Sequence, residues 1–456
     1  MCAPEVSGHV MTLETEYGVP TVAVHGAAFA RLVDSVVQVN GMPRARRAYV
    51  PMPVLTKTPA ELRGYVEGDD PVSGRPFMRE VLEALTRPLD AEDLRGVEFD
   101  RGTPRLLEPD TEDNLHRLFR DNAWTDYLPI VLPTEERVEA MLAGTSHAPD
   151  EVVGQMRPTG FREMWDFTVE KVAVNAVMAG AEPAYLPVIL ALASSGMTAR
   201  QSSTSSMANM VVVNGPIRDE IGMNSGLGAL GPYSHANATI GRAFGLLSQN
   251  LQGGSVPGLT YMGAQGNNFA YTSITFAENQ EKSPWEPYHV QQGFDVEEST
   301  ATVFYVWGNV WTEGVRSRWE EKLRTILAGQ DPFEGSILVL DPLVARSFYD
   351  LGFDRKEKLI QWIHENVKIP AGFWWENFTT RNLMHELAEQ GVEPWATYAS
   401  VPPEELIPMF EPDNVHVVVV GGSSNAQWSS FQGRTLDARF RNAPTDPATI
   451  SIDRWR

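Results

Sequence analysis

Glu278 and His289 are the side chains in this chain whose types and spacing best suit proton transfer. The run Tyr271 to Ala277 reads as a β-strand, so Glu278 and Asn279 stand at a strand end. The loop that follows carries Glu281, Lys282, Glu286 and His289. A carboxylate and an imidazole held in one cleft could serve as general acid and base, with burial tuning both. Glu281, Lys282 and Glu286 read as solvated loop charges. Glu170 and Lys171 form a second candidate pair, at the start of a helix that is apolar nearly all round. Charge in a buried helix start has to be paired or used. Glu170 falls in the first turn, where the helix dipole favours a carboxylate, and Lys171 could hold a substrate carboxylate or act as a base if burial lowers its pKa.

A second kind of chemistry is anion binding. Met210 to Val213 reads as a buried strand, stopped by Asn214-Gly215-Pro216, and glycines then recur at 222, 226, 228 and 231. Ser234, Asn237 and Thr239 are of the type that caps helices, and Ala236 to Leu251 has helical spacing. The bare backbone of the loop and the free N–H groups of that helix start would face one another and seat a carboxylate, phosphate or oxyanion. Asn214, Asn224, Ser225, Gly226, Ser234, His235, Asn237, Thr239 and Arg242 are expected to line that seat, with Arg242 and Lys171 supplying positive charge. The apolar strand His416 to Val420 runs into Gly421-Gly422-Ser423-Ser424-Asn425, a second strand-end loop that offers Asn425. Ligands of open α/β sheets collect where such loops converge.

Several motifs with known mechanics are missing. Neither G-x-x-x-x-G-K-[ST] nor a properly placed G-x-G-x-x-G occurs, no G-x-S-x-G elbow is present, and no redox cofactor motif appears, so no cofactor is expected. The serines at 202 to 206 read as a loop bordering the seat. The histidines lack H-x-x-x-H or H-E-x-x-H spacing, and no metal site is expected from them. A dispersed set, His235 with Glu278 and His289, is the arrangement by which a metal could still be held.

The elements that must position these residues divide into two parts. Val19 to Val24 reads as a strand, Ala27 to Val39 as a helix and Arg47 to Val54 as a strand, a β-α-β order that predicts a small parallel α/β domain over residues 1–100. Helices are expected at Pro59 to Tyr65 and Phe77 to Leu85, and a boundary in the Pro- and charge-rich segment Pro88 to Asp113. Residues 101–456 are read as a larger α/β core, with Thr134 and Thr168 capping helices, Gly180 ending the second, and a strand over Ala301 to Trp307. Later helices are expected at Trp319 to Leu327, Lys356 to Asn366 and Arg381 to Gln390.

Composition narrows the function classes. A chain of 456 residues with 43% hydrophobic residues and twelve tryptophans can bury two or three cores of the usual ~150-residue size. A net charge of −22 argues against tracking nucleic-acid phosphates, and the patch Arg44, Arg46, Arg47 reads as a solvated loop. The one cysteine, Cys2, excludes an intramolecular disulfide, and its terminal position predicts mobility. No secretory signal and no run of ~18 apolar residues is present, which fits a soluble cytoplasmic protein without membrane contact. Because an acidic chain repels anions unless a deep site is locally positive, a junction between domains or subunits is expected, and with it a homo-oligomer.

Four phrases together carry a resemblance: TVEKVAVNAVMAG (168–180), NGPIRDEIGMNSGLGALGP (214–232), ANATIGRA (236–243) and FAENQEKSPWEPYHVQQGF (276–294). They are similar to the large bacterial relatives of the UGSC-type thiol or selenoprotein family. The segment YGVPTVAVHGAAFARLV leading to YVPMPV resembles that family's smaller α/β domain. The resemblance implies a two-part α/β fold. It also marks two departures, because this chain lacks the Cys- or Sec-Gly-Ser-Cys motif for which the family is named and has Ala181 where the family carries a cysteine.

The expectation is therefore an enzyme of small-molecule metabolism that binds a small anionic metabolite at the 214–242 loop and helix and performs acid–base lyase, hydrolase or transferase chemistry. The alternatives are a binding or scaffold subunit that depends on a thiol-bearing protein partner, and a metalloenzyme with a dispersed His/Glu site.

Overall fold

The structure, a computed structural model, describes residues 2–39, 41–54, 57–93, 95, 104–156, 165–199, 206–252, 257, 261, 263, 265–315, 317–332, 335–377, 380–434 and 447–456. Part of the expected boundary at 88–113, and Ser202 to Ser205, lie outside these residues. The fold is α/β in two parts.

The first part begins with helix α1 (Cys2–Thr15), followed by β1 (Ala23–Gly26), α2 (Ala30–Val39), β2 (Arg47–Val50), α3 (Pro59–Glu67) and α4 (Phe77–Thr86). β1 and β2 are parallel, with Ala23 opposite Arg47 and Gly26 opposite Val50, as the β-α-β order requires. Thr58 and Glu61 form a reciprocal capping box at the start of α3, with Pro59 at its first position. The core of this part is Met11, Val33, Val37, Met42, Ala45 and Tyr49. One sequence expectation changes here. Cys2 is the first residue of α1, and Arg46 is not a solvated loop residue. Only 7% of Arg46 is exposed; it lies 3.3 Å from Glu14 and donates to the Ala84 carbonyl at 2.6 Å, while Arg47 pairs with Asp34 at 2.7 Å.

The second part opens with α5 (Glu112–Asp121), α6 (Glu135–Leu142), the hairpin strands β3 (Val152–Met156) and β4 (Trp165–Thr168), α7 (Val169–Ala179) and α8 (Leu186–Ser194). Then come β5 (Ala208–Asn214), α9 (Ile217–Glu220), α10 (His235–Gln252), β6 (Ile274–Ala277), α11 (Tyr288–Gln291), β7 (Thr300–Glu313), α12 (Trp319–Ala328), β8 (Gly335–Leu340), α13 (Pro342–Asp350) and α14 (Lys356–Asn366). The chain finishes with β9 (Lys368–Pro370), α15 (Ala371–Glu376), α16 (His385–Glu389), α17 (Trp395–Ser400), β10 (Leu406–Pro408), β11 (Val415–Val419), β12 (Gln427–Arg434) and β13 (Ala448–Ser451).

The main sheet runs β11-β8-β12-β7-β5-β6, with β13 added beside β7. β5 and β6 are parallel, as are β8 and β11, whereas β7 and β12 run against their neighbours. The sheet curls until its two edges meet. The Asn279 N–H, just past β6, donates to the Val419 carbonyl of β11 at 2.8 Å. Curling separates the side chains by strand period. Met210, Val212, Ile274, Phe276, Phe304, Val306, Ile337, Val339, Val418, Val420 and Phe431 come from all six strands and pack in one inner cluster. The alternate residues face outward against helices. Val211, Val213, Ala301 and Val303 pack with α7, α8 and α10, and Leu338, Leu340, Val417 and Val419 pack with α12 to α14. Among the described residues no helix is long and apolar enough to cross a membrane.

Candidate functional site

Four strand ends converge where the sheet edges meet: those of β5 at Asn214, β6 at Ala277, β8 at Leu340 and β11 at Val419. Alternation puts Asn214 and Glu278 on the same inward face as Val212 and Phe276, so the apolar interior ends in a polar rim. Glu278 is fully buried and is the hub of that rim. Its Oε2 accepts from Asn214 Nδ2 at 2.5 Å and from the Tyr288 N–H, the first residue of α11, at 2.7 Å. Its Oε1 accepts from Lys356 Nζ at 3.3 Å and from the Val419 N–H at 3.4 Å.

Lys356 opens α14 and has no solvent-exposed side-chain surface, as is true of Glu278. Its ammonium lies 5.8 Å from the centre of the Tyr288 ring, within cation–π range. Glu278 is its single hydrogen-bond acceptor among the described residues, although an ammonium carries three donors. The Tyr288 hydroxyl lies 3.0 Å from His416 Nδ1 on β11. Burial pushes the His416 pKa down to about 4 and raises that of Tyr288 well above the usual phenol range, with the Glu278 charge adding to the latter. Two buried polar atoms of this rim, Asn214 Oδ1 and His416 Nε2, have no hydrogen-bond partner. The Asn214 amide orientation follows from its neighbour, since only the NH₂ side can face the Glu278 carboxylate.

A second layer holds the hub in place. Arg218 on α9 is 4% exposed; its guanidinium donates to the Glu278 carbonyl at 2.6 Å, the Gly215 carbonyl at 2.9 Å and Glu281 Oε1 at 2.6 Å. That hydrogen bond from Arg218 holds the Glu281 pKa below the ordinary carboxylate range. Asp341 follows β8 and caps α13 by accepting from the Val344 N–H at 2.8 Å, and burial raises its pKa.

The structure brings together fewer of the sequence candidates than expected. Glu278 and Asn214 meet. His289 is buried beside them in sequence but is engaged elsewhere, with Nδ1 3.3 Å from the Gln280 amide and Nε2 3.3 Å from the Val296 carbonyl. Burial lowers its pKa, and both ring nitrogens are engaged by these contacts rather than by Glu278. Glu170 and Lys171 lie in the first turn of α7, the least covered part of a helix whose second half is buried on nearly every side. Glu170 Oε1 accepts from Arg105 at 2.7 and 3.0 Å, and Lys171 is exposed. Neither is the buried charge that the apolar composition of α7 suggested.

The anion seat is also occupied by the protein itself. Ser234 caps α10 through the Asn237 N–H at 3.4 Å, as expected. Asn237, however, turns its side chain onto the glycine-rich loop. It accepts from the Asn224 N–H at 3.0 Å and donates to the Asn224 and Ala229 carbonyls at 3.0 and 3.3 Å. Asn224 closes the loop on itself through the Gly226 N–H at 2.8 Å and the Leu227 carbonyl at 2.9 Å, and the Ser225 carbonyl accepts from Gly421 at 2.8 Å. Thr239 bonds back to the His235 carbonyl at 2.8 Å. Arg242 is neutralised by a two-pronged pair with Asp126, at 3.1 and 3.0 Å, and also reaches the Leu128 carbonyl at 3.3 Å. His235 is more than half exposed and faces Tyr185 at 3.3 Å and Glu182 at 3.8 Å. Asn425 is exposed on its loop.

The dispersed metal set is not assembled, since Glu278 is committed to Lys356 and His235 and His289 have the partners just named. Among the described residues no three His, Cys, Asp or Glu side chains gather in a metal-binding group. Ala181 lines a shallow apolar cleft with Val131, Arg137, Met141, Val177 and Pro183 between α6 and α7.

Sequence reasoning missed Lys356, Tyr288, His416 and Arg218. One signal was available for His416, the single polar residue in an otherwise apolar strand. Lys356 gave none, because a lysine in the first turn of an amphipathic helix ordinarily faces water. Comparison with family models and with curated proteins found no match for the chain.

Proposed function

We propose that this chain is an enzyme of small-molecule metabolism whose acid–base centre is Glu278 with Lys356, acting on a small acid that also bears a hydroxyl or amino group. The observation that carries the reading is a fully buried charge pair at converging strand ends beside an unpartnered Asn214 oxygen. A buried ion pair contributes little net stability compared with apolar packing, so function is the better account of its presence. Lys356 has donors to spare for a substrate carboxylate, and Asn214 Oδ1 can accept from a neighbouring hydroxyl or amine. Glu278 then takes the proton from the carbon beside that carboxylate. The C–H electron pair passes into the enolate, which the Lys356 ammonium stabilises.

The test is solvent deuterium incorporation at that carbon, followed by NMR across a panel of 2-hydroxy and 2-amino acids. At least one member is expected to exchange with the native chain, and Glu278→Gln, checked for folding by circular dichroism, is expected to lose exchange by about a thousandfold. Exchange at the native rate in that variant, or no exchange with any member, contradicts the reading.

A second reading is supported by the closed helix start and by the resemblance to a family whose cysteines this chain lacks. It is a binding subunit whose chemistry depends on a thiol-bearing partner. The glycine-rich loop presents Leu227, Leu230 and Tyr233 to solvent, at 68%, 47% and 103% exposure, a surface suited to another protein. This reading predicts no deuterium exchange by the chain alone and restored turnover on addition of a cysteine-containing partner.

A further inference from the structure

The glycine-rich loop lies over the strand ends that hold Glu278. Asn224 accepts from the Ala277 N–H at 3.5 Å, one residue before Glu278, and Ser225 accepts from Gly421, two residues past β11. Ala229 is 3% exposed and packs in the inner cluster with Phe276 and Tyr288, closing the mouth of the curled sheet. Leu227 lies against the Gly422 backbone so closely that a Cβ added there would be 2.3 Å from the Leu227 Cγ. The loop is also held by Asn237 at the start of α10, and at its first end by Met223, whose side chain is buried in the core outside the sheet and whose N–H donates to the Arg218 carbonyl at 2.8 Å.

Positive-φ backbone occurs at both ends of the loop and in its middle. Gly222 and Gly228 adopt left-handed backbone with φ of +65° and +72°, with open space around both. At the far end Tyr233 has a φ of 75°, which costs a tyrosine energy, and its side chain is fully exposed. Leu227 and Leu230 leave much of their apolar surface in solvent, at 68% and 47% exposure, so these two large side chains add little to keeping the loop shut.

We infer that residues Gly222 to Ser234 are a lid that opens about Gly222 and Tyr233 and admits substrate to Glu278 and Lys356. Asn237 is the latch, and Ala229 is the plug. The inference rests on the acid–base reading of Glu278 for its purpose, but its test requires neither substrate nor turnover.

The test uses the accessibility of Lys356 to a small acylating reagent, N-hydroxysuccinimidyl acetate, read by mass spectrometry, with the exposed Lys358 as internal reference. In a Cys2→Ser background, Leu227→Cys with Gly422→Cys places two thiols where a disulfide can pin the lid to the β11 loop. Oxidation is expected to slow labelling of Lys356 by about tenfold or more relative to Lys358, and dithiothreitol is expected to restore it. Independently, Asn237→Ala is expected to speed labelling of Lys356 by about tenfold while leaving Lys358 unchanged. Equal Lys356 rates with the lid pinned and free, or an unchanged rate in Asn237→Ala, overturns the lid. Failure of the deuterium-exchange experiment with a positive labelling result leaves a lid over a site of different chemistry, so the two ideas fail separately.

Discussion

Glu278 and Lys356 meet where neither has any contact with water, and the consequences are large for single substitutions and small for paired ones. Lys356→Met leaves a buried carboxylate with only neutral partners and is expected to cost about 3–5 kcal/mol in urea unfolding. Adding Glu278→Gln to it removes the stranded charge, and the double variant is expected to recover more than half of that loss. A double variant as unstable as the single one would mean that the pair acts through packing and not through charge. Glu170 with Arg105 provides the contrast. That pair is solvent-exposed, and removing either partner is expected to leave the unfolding midpoint unchanged. The sequence made Glu278 and Asn214 legible because each ends an apolar run, and strand ends are where inward alternation delivers a polar side chain. Lys356 was hidden because its partner lies 78 residues away in the chain and no local pattern records the encounter.

Helix α10 shows what an element contributes beyond its side chains. Gly241 sits where the helix crosses the turn before β6, and an added Cβ would lie 1.7 Å from the Thr272 carbonyl oxygen. Gly241→Ala is therefore expected to destabilise the protein by about 3 kcal/mol, since backbone has to move to admit one methyl group. A change within experimental error would show that this contact is loose. The helix itself, its serine cap and its length were readable from Ser234 and the helical spacing after it. Its use was not. The same Asn237 that reads as a cap residue spends its side chain on the loop, and Arg242 is claimed by Asp126, 116 residues earlier. Strand β8 was not foreseen, because a short apolar run such as Gly335 to Leu340 carries no alternation when both faces of the strand are covered, and β12 was not because its sequence, QWSSFQGR, is largely polar. β7 was foreseen only to Trp307, since its last residues, Gly308 to Glu313, stay paired with β12 but are mostly exposed and lose the apolar pattern.

The molecule as a whole couples two cores to one solvent condition. His25 in the small part and His416 in the curled sheet both have pKa values lowered to about 4, His25 by burial and by the Arg47 charge, His416 by burial. Both are neutral in the fold at pH values where the unfolded chain, with histidines near 6.5, already binds protons. Stability is thus fully present above about pH 6.5 and is lost as pH falls from there toward 4. For His416 the loss is on the order of 3 kcal/mol. Urea unfolding at pH 7 and pH 4.5 is expected to show a smaller difference for His416→Gln than for the native chain, and equal differences would show that His416 is not the acid-sensitive group. The two-part α/β division was legible from the β-α-β order at the start of the chain, whereas the curl that joins β6 to β11 was not, because it depends on contacts between residues far apart in sequence. Whether the sealed rim of Glu278, Lys356 and Asn214 is a substrate site is decided by a crystal structure of the chain grown with the acids that exchange deuterium or, failing those, with the full panel. Density for a small acid is expected between Lys356 Nζ and Asn214 Oδ1 with the loop from Gly222 to Ser234 displaced, and crystals in which the Glu278–Lys356 pair is intact and the ligand absent at saturating concentration would rule the site out.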